Sequence, residues 1–278
     1  MSVPRLRPAV RGSNEVWAVS VVRDEVDVVI TTITHLLEQG IDRVLVADSG
    51  SVDGTTEALR ALEASDQRVQ LAIDGQPKHL QSEKITYLAH RAWRAGAAWV
   101  LPFDADEFFF AKDRTVADFL RAQTATVVRA DFHHMVPTRP MRSVDGTTEF
   151  VLDATPSFPG KVAARSHPLL EFIPGNHAAS RVGAVTTGLY IAHALYRHPD
   201  QVARKFRQGI RATGTSELTF PGEHWTRGST LTDAEISDVW DRISRGLADP
   251  RIDYQANGPM VTVRPLAWST WDPDRAVS

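Results

Sequence analysis

The chain has 278 residues, 42% hydrophobic and 23% charged, enough to bury a substantial core as one domain or as two close lobes. Its 31 Lys and Arg against 34 Asp and Glu give a formal charge of −3, which argues against a general role on nucleic acid or on an anionic membrane. The absence of cysteine excludes disulfides, zinc-thiolate centres and thiol nucleophiles, and fits the cytoplasm.

The first fourteen residues are basic with no apolar stretch behind them and read as a flexible arm. No apolar run approaches the roughly 20 residues that span a bilayer, so any membrane contact is expected to be peripheral. Val16–Val22 is nearly all apolar, the pattern of a strand buried on both faces. Residues 24–39 place Val26, Val29, Ile30, Ile33, Leu36 and Leu37 at helical spacing, with Asp24 and Glu25 at the positive end and Gly40 at the stop. Further strands are expected over 43–47, 69–73 and 99–103. Helices are expected from Ser51 or Asp53, as cap, to about Ala64, and over 79–95, where Gly96 closes the helix.

This alternation implies a parallel sheet with helices on both faces, and ligands beyond the carboxyl ends of its strands. Sequence order alone brings Arg23-Asp24, Asp48, Asp74 and Asp104 to that rim. After residue 113 the rhythm changes. A short helix is expected at 115–123, strands at 127–133, 161–165, 170–173 and 185–194, and helices at 200–209 and 233–247. In the last of these Ile236, Val239, Trp240 and Ile243 share one face. The final thirty residues read as a tail wrapping the body. The expected layout is an arm (1–14), a first lobe (15–112), a second lobe (113–215) and a C-terminal helical extension (216–278).

Asp104-Ala105-Asp106 carries two carboxylates at i and i+2 just past an apolar strand, so on a continuing strand both face one way. Two hard oxygen ligands there can hold Mg²⁺ or Mn²⁺ and leave positions for phosphate oxygens and water. Exposed acids or capping carboxylates are the bland alternative, but Glu107-Phe108-Phe109-Phe110 follows at once, and an exposed loop seldom carries three aromatics behind it.

Three segments, Val22-Arg23-Asp24-Glu25, Asp48-Ser49-Gly50-Ser51-Val52-Asp53-Gly54-Thr55 and Trp99 to Phe108, together resemble the nucleotide-binding half of a GT-A glycosyltransferase, close to family two. The second is similar to the family's D-x-G-S-x-D-G-T turn and the third to its DxD strand end, in the DxDEF form. Asp24 departs from the common Asn. The resemblance implies a GT-A, Rossmann-like mixed sheet as a single domain of two lobes with a C-terminal helical tail. It also implies a divalent-metal-dependent transferase moving a sugar from a nucleoside diphosphate sugar, a UDP-sugar by preference and with inversion, to an acceptor it does not name. Asp48 would meet the uracil or ribose, Asp104 the ribose and a metal-bound water, and Asp106 the metal. Val22, Arg23 and Glu25 would border the base beside Ala105, and Lys84 would reach the nucleotide or stay a solvated helix lysine.

The same resemblance implies His193 as a further metal contact, which would favour Mn²⁺, where the alternative is a satisfied core histidine. Arg197 and Lys205 would neutralise phosphate or remain solvated. Lys161 and Arg165, at i and i+4 of one strand, would meet phosphate or pair with acids. Gly175-Asn176-His177 would face the sugar or form a plain turn, and Trp225 would line an acceptor pocket or pack the tail. A catalytic base within reach of the acceptor hydroxyl falls among Glu171, His177, Asp200, Glu223 and His224, with Glu107 beside the metal. A nucleotidyltransferase and a non-catalytic sugar-nucleotide-binding protein are the other readings. No glycine-rich loop follows the first strand, as a triphosphate or a dinucleotide would need.

Overall fold

In the computed structural model of the chain, residues 1–9, 14–76, 80–214, 228–252, 254 and 256–275 are described, those of 208–214 by their backbone. In chain order the strands are β1 (Val16–Val22), β2 (Arg43–Asp48), β3 (Val69–Ile73), β4 (Trp99–Pro102), β5 (Glu107–Ala111), β6 (Val127–Pro137), β7 (Phe150–Asp153), β8 (Ser157–Arg165), β9 (Val185–Ala194) and β10 (Met260–Val263). The helices are α1 (Val29–Glu38), α2 (Thr55–Ser65), α3 (Gln81–Ala95), α4 (Val116–Arg121), α5 (Pro199–Gly214) and α6 (Asp233–Ile243). This is the mixed α/β sheet with helices that the sequence implies. The chain divides into two units that alternate along it. One holds residues 1–132, 158–191 and 269–271, and the other 133–157, 192–268 and 272–278.

In the first unit β4, β1, β2 and β3 lie side by side and parallel, with Val22 opposite Asp48 and Asp48 opposite Ile73. That register brings the carboxyl ends of β1, β2 and β3 level. Trp17, Val19, Leu45, Ala47 and Val100 pack on one face against Ile85, Leu88, Ala89 and Ala92 of α3. Side chains alternate along a strand, so Ala18, Val44 and Val46 point the other way, and they too are wholly buried. Both faces are therefore covered, as the unbroken apolar strands require. Gly96 ends α3 at φ +102, and a Cβ there would meet that of Ala9 at 2.9 Å.

Several expectations are corrected. Residues 1–9 are not a free arm: Ser2 pairs with Ile73, while Met1, Val3 and Leu6 pack against the core. Helix α1 starts at Val29 and not at residue 24, because Asp24 adopts φ 56 and its loop is tied to the next one. Gly54 is the N-cap of α2, without a side-chain bond, while Asp53 Oδ1 accepts the Thr55 N–H at 3.0 Å. Residues 170–173 form no strand. They keep a single bridge, Phe172 to Ala179, because Pro174 opens a 3-10 turn (Pro174–Asn176) directly behind them. The aromatic run behind Asp106 is itself the fully buried strand β5.

In the second unit β7 pairs antiparallel with β6 on one side and with β10 on the other, so part of the expected tail is a sheet strand. Ile236, Val239, Trp240 and Ile243 of α6 are buried with Val202 and Phe206 of α5, as their spacing implies. Thr232 and Glu235 form a reciprocal capping box at the start of α6, which ends at Ile243 and not at 247.

Candidate functional site

The rim of the first unit starts with two loops that fasten each other. Asp24 Oδ1 accepts the Val52 N–H at 2.7 Å, and the Asp24 N–H donates to Ser51 Oγ at 2.9 Å. The Glu25 N–H donates to Thr55 Oγ1 at 3.0 Å, and the Val26 N–H to Asp53 Oδ2 at 3.2 Å. A short acidic side chain tolerates the left-handed backbone of residue 24 and serves as acceptor in the same place. Arg23 remains exposed, its Nε 3.7 Å from Asp24, and Val22 is buried.

Asp48 is 3% exposed and is held by its own turn: Oδ2 accepts from Thr56 Oγ1 at 2.8 Å and from the Ser51 N–H at 3.3 Å, and Oδ1 from Ser51 Oγ. Lys84 is neither a solvated lysine nor aimed outward. Its Nζ lies 2.5 Å from Asp74 and donates to the Gln76 carbonyl at 3.1 Å. Burial pushes the Asp74 carboxyl up, but hydrogen bonds from Lys84, the Gln76 N–H and Ser49 outweigh it and hold the group below the usual carboxylate range.

Past β4 the chain turns at Asp104 into β5. Glu107 Oε2 accepts the Asp104 N–H at 3.0 Å, and the Glu107 N–H donates to the Asp104 carbonyl at 3.1 Å, a reciprocal clasp around the turn. Thr32 Oγ1 of α1 donates to the Ala105 carbonyl at 2.5 Å. Lys161 of β8 is 5% exposed, with Nζ 2.8 Å from both Asp104 Oδ2 and Glu107 Oε1 and 5.7 Å from the ring centre of Phe132. Gln81 Nε2, at the start of α3, donates to Asp104 Oδ1 at 3.2 Å. Glu107 is wholly buried, and that burial pushes its carboxyl up, opposed by the Lys161 ammonium and reinforced by the Asp104 carboxylate. Lys161 is also desolvated, yet the two carboxylates hold its ammonium well above the usual range. Glu107 therefore braces Asp104 from the interior of the unit.

His177 lies beside this cluster, close enough to feel the charges of Lys161 and Asp104. Its Nδ1 donates to the Gly160 carbonyl at 2.9 Å, which leaves the lone pair on Nε2. Burial lowers its ring below the ordinary histidine range, so the ring is neutral at neutral pH. The turn before it accommodates the ring only because Gly175 has no Cβ, which would stand 2.5 Å from His177 Nε2. Glu171 is exposed further along the same segment. Arg165, though at i+4 from Lys161, turns to the Trp99 ring and the Gln123 carbonyl.

The first unit thus brings together Asp104, Asp106, Glu107, Lys161, Gln81 and His177. Four of the expected site residues that are described belong to the second unit. His193 is 8% exposed, and its Nδ1 lies 3.0 Å from that of His134. Arg197 is wholly buried and donates to the Ala194 carbonyl at 3.0 Å, so it is a packed interior arginine and not a solvated one. Asp200 is exposed and pairs with Arg142, and Lys205 Nζ donates to the Leu195 carbonyl. Glu223, His224 and Trp225 lie outside the described residues. Gln81 was not foreseen, since a glutamine opening a helix gives no local signal of a partner 23 residues on.

Among the described residues no three metal-competent side chains converge. The donor set that fits a hard divalent cation in the first unit is the pair of carboxylates of one turn, Asp104 and Asp106. Of these Asp104 already has an internal cation in Lys161, while Asp106 is 3% exposed at the head of β5. Asp106 is the carboxylate that could take such an ion, with further oxygens from phosphate and water. Among the described residues no helix is long and apolar enough to cross a membrane.

No protein-family model matches the chain, and no curated protein matches it. Partial likenesses are found among solved structures. S. aureus TarS in complex with UDP is 12% identical, with a TM-score of 0.42 over 84% of this chain and 71% of that one. The mannosyltransferase PcManGT from Pyrobaculum calidifontis, in complex with GDP-Man and Mn²⁺, is 15% identical, with a TM-score of 0.46 over 86% and 75%. Glucosyl-3-phosphoglycerate synthase from Mycobacterium tuberculosis, with Mn²⁺, UDP-glucose and phosphoglyceric acid, is 17% identical, with a TM-score of 0.39 over 76% and 87%.

Proposed function

We propose that the chain is a glycosyltransferase whose nucleoside diphosphate sugar, a UDP-sugar by preference, binds on the rim formed by the loops after β1, β2 and β4. The observation that carries this reading is the Asp104–Glu107 turn. It is clasped by its own backbone, braced by buried Lys161 and tied to α3 by Gln81. A turn fixed from three sides is suited to hold a charged ligand without reorganising.

In this reading Asp106 holds a divalent ion, Mn²⁺ or Mg²⁺. The ion, when bound, stabilises negative charge on the departing diphosphate. Asp104, paired with Lys161, presents its carboxylate to ribose hydroxyls and to a metal-bound water. Asp48 shapes the turn that meets the base and Asp24 fastens it, while Arg23, exposed beside them, faces the nucleotide. Lys84 acts through its buried partner Asp74. With inversion, the acceptor oxygen bonds to the anomeric carbon as the bond to the diphosphate oxygen breaks, and His177 Nε2 takes the acceptor proton. Glu171 is the other carboxylate of the same wall that could take it.

Thermal unfolding with UDP or GDP, each with and without Mn²⁺, tests the reading. Stabilisation by a nucleoside diphosphate that depends on the metal is expected. Equal melting curves in all four mixtures would sink it.

A further inference from the structure

Beside the clasped turn, one face of α3 borders an open groove of about 420 Å³. Ser82, Glu83, Thr86, Tyr87 and His90 line it from the helix, and Glu171 and Phe172 from the segment opposite. The helical residues fall at i, i+3 and i+4 from one another, so they form one continuous stripe. The opposite wall is fixed to the helix: the Phe172 N–H donates to Thr86 Oγ1 at 3.0 Å, and His90 Nε2 donates to the Leu170 carbonyl at 2.8 Å. The Glu171 N–H is satisfied by Ser180 Oγ at 2.9 Å, so its backbone is fixed while its side chain stays exposed. The groove is therefore preformed.

Its chemistry is selective. The lining holds two carboxylates, a hydroxyl pair, an imidazole and the ring of Tyr87, which is 39% exposed, and among the described residues neither Lys nor Arg lines it. Two carboxylates without a facing cation repel phosphate and accept hydrogen bonds from hydroxyls or amines. An exposed aromatic ring beside them gives a sugar ring a flat apolar face to lie on. The groove also begins next to the reaction centre, since Ser82 follows Gln81, whose amide holds Asp104, and the wall at 171–172 leads through the 3-10 turn to His177.

We propose that this groove is the acceptor subsite, and that the acceptor is a neutral or amine-bearing saccharide and not a phosphorylated or acidic molecule. The inference rests on the glycosyltransferase reading. Tyr87 and Glu171 are its binding groups.

The test is carbon-detected NMR of the full chain with labelled tyrosine. The chain has four tyrosines, and a Tyr87→Phe variant assigns the resonance. The probes are maltose, cellobiose, lactose and glucosamine, against glucose 1-phosphate and glucuronic acid. At least one neutral or amine probe is expected to shift the Tyr87 signal, and both anionic probes to leave it unmoved. Tyr87→Ala, read by ligand line broadening, and Glu171→Gln should each weaken that binding about tenfold. UDP-dependent thermal stabilisation should be unchanged in both variants. If no neutral or amine probe moves the signal while UDP still stabilises the protein, the groove is not the acceptor site. The same holds if the anionic probes bind as well. If UDP with Mn²⁺ fails to stabilise the parent chain, the donor reading falls first, and a saccharide shift at Tyr87 would then support the groove as a sugar site alone.

Discussion

Lys161 Nζ lies 2.8 Å from Glu107 Oε1, an ion pair between side chains that are 6% and 0% exposed. Pairs of this kind stabilise little in total, because desolvation of both charges offsets their attraction, but removing one partner strands the other. Lys161→Met should therefore destabilise the first unit by about 3–5 kcal/mol in urea unfolding. Adding Glu107→Gln should return part of that loss. A double variant no more stable than Lys161→Met would show that the pair is not what holds the turn.

Asp106→Ala leaves this brace intact, so the variant should still fold, as circular dichroism reads it. Turnover of the nucleotide sugar should fall by about 100-fold or more, together with the Mn²⁺-dependent response to UDP. A variant with unchanged turnover would remove Asp106 from the site.

Much of this arrangement is legible in the sequence, and the reason is spacing. The strands up to β4 are unbroken apolar runs between amphipathic helices, and a parallel sheet follows from that alternation, which then sets Asp48, Asp74 and Asp104 on one rim. Strand β5 was hidden because Glu107-Phe108-Phe109-Phe110 reads equally as an aromatic cluster. The partners Lys161 and Gln81 were hidden for another reason. Their contacts with Asp104 span 57 and 23 residues, and no local pattern records a pairing made by sheet order and helix entry. The pairing of Lys84 with Asp74, just past β3, is hidden in the same way.

Stability should depend on pH through His35. Its Nε2 donates to the Phe109 carbonyl at 2.7 Å between the rings of Phe108 and Phe110, and burial lowers its pKa from 6.5 to about 4. The unfolded chain then binds more protons than the folded one between those values. The contribution is full above pH 6.5, falls as the pH drops and is lost near pH 4. Its size is on the order of 3 kcal/mol, from 2.5 units at about 1.4 kcal/mol each. Urea unfolding from pH 7 to pH 4 should show this slope, and His35→Gln, which keeps a donor for Phe109, should flatten it. An equal slope in that variant would assign the effect elsewhere.

Asp24 separates two needs of one position. Its backbone at φ 56 favours Asn or Asp, and its Oδ1 must accept the Val52 N–H. Asp24→Asn meets both and should change stability by less than about 0.5 kcal/mol. Asp24→Ala meets neither and should cost about 1–3 kcal/mol and loosen the loop at 51–55, read by hydrogen exchange at Val52. Fast exchange in both variants would point to the charge of Asp24 and not to its shape.

The pairing of Ser2 with Ile73 has a use beyond the site. Strand β3 ends the parallel sheet, and an open end offers its N–H and C=O groups as a template to any other strand in the cell. By lying across that border with Met1, Val3 and Leu6 turned inward, the opening residues keep the sheet from recruiting a neighbour and so protect the molecule from aggregation.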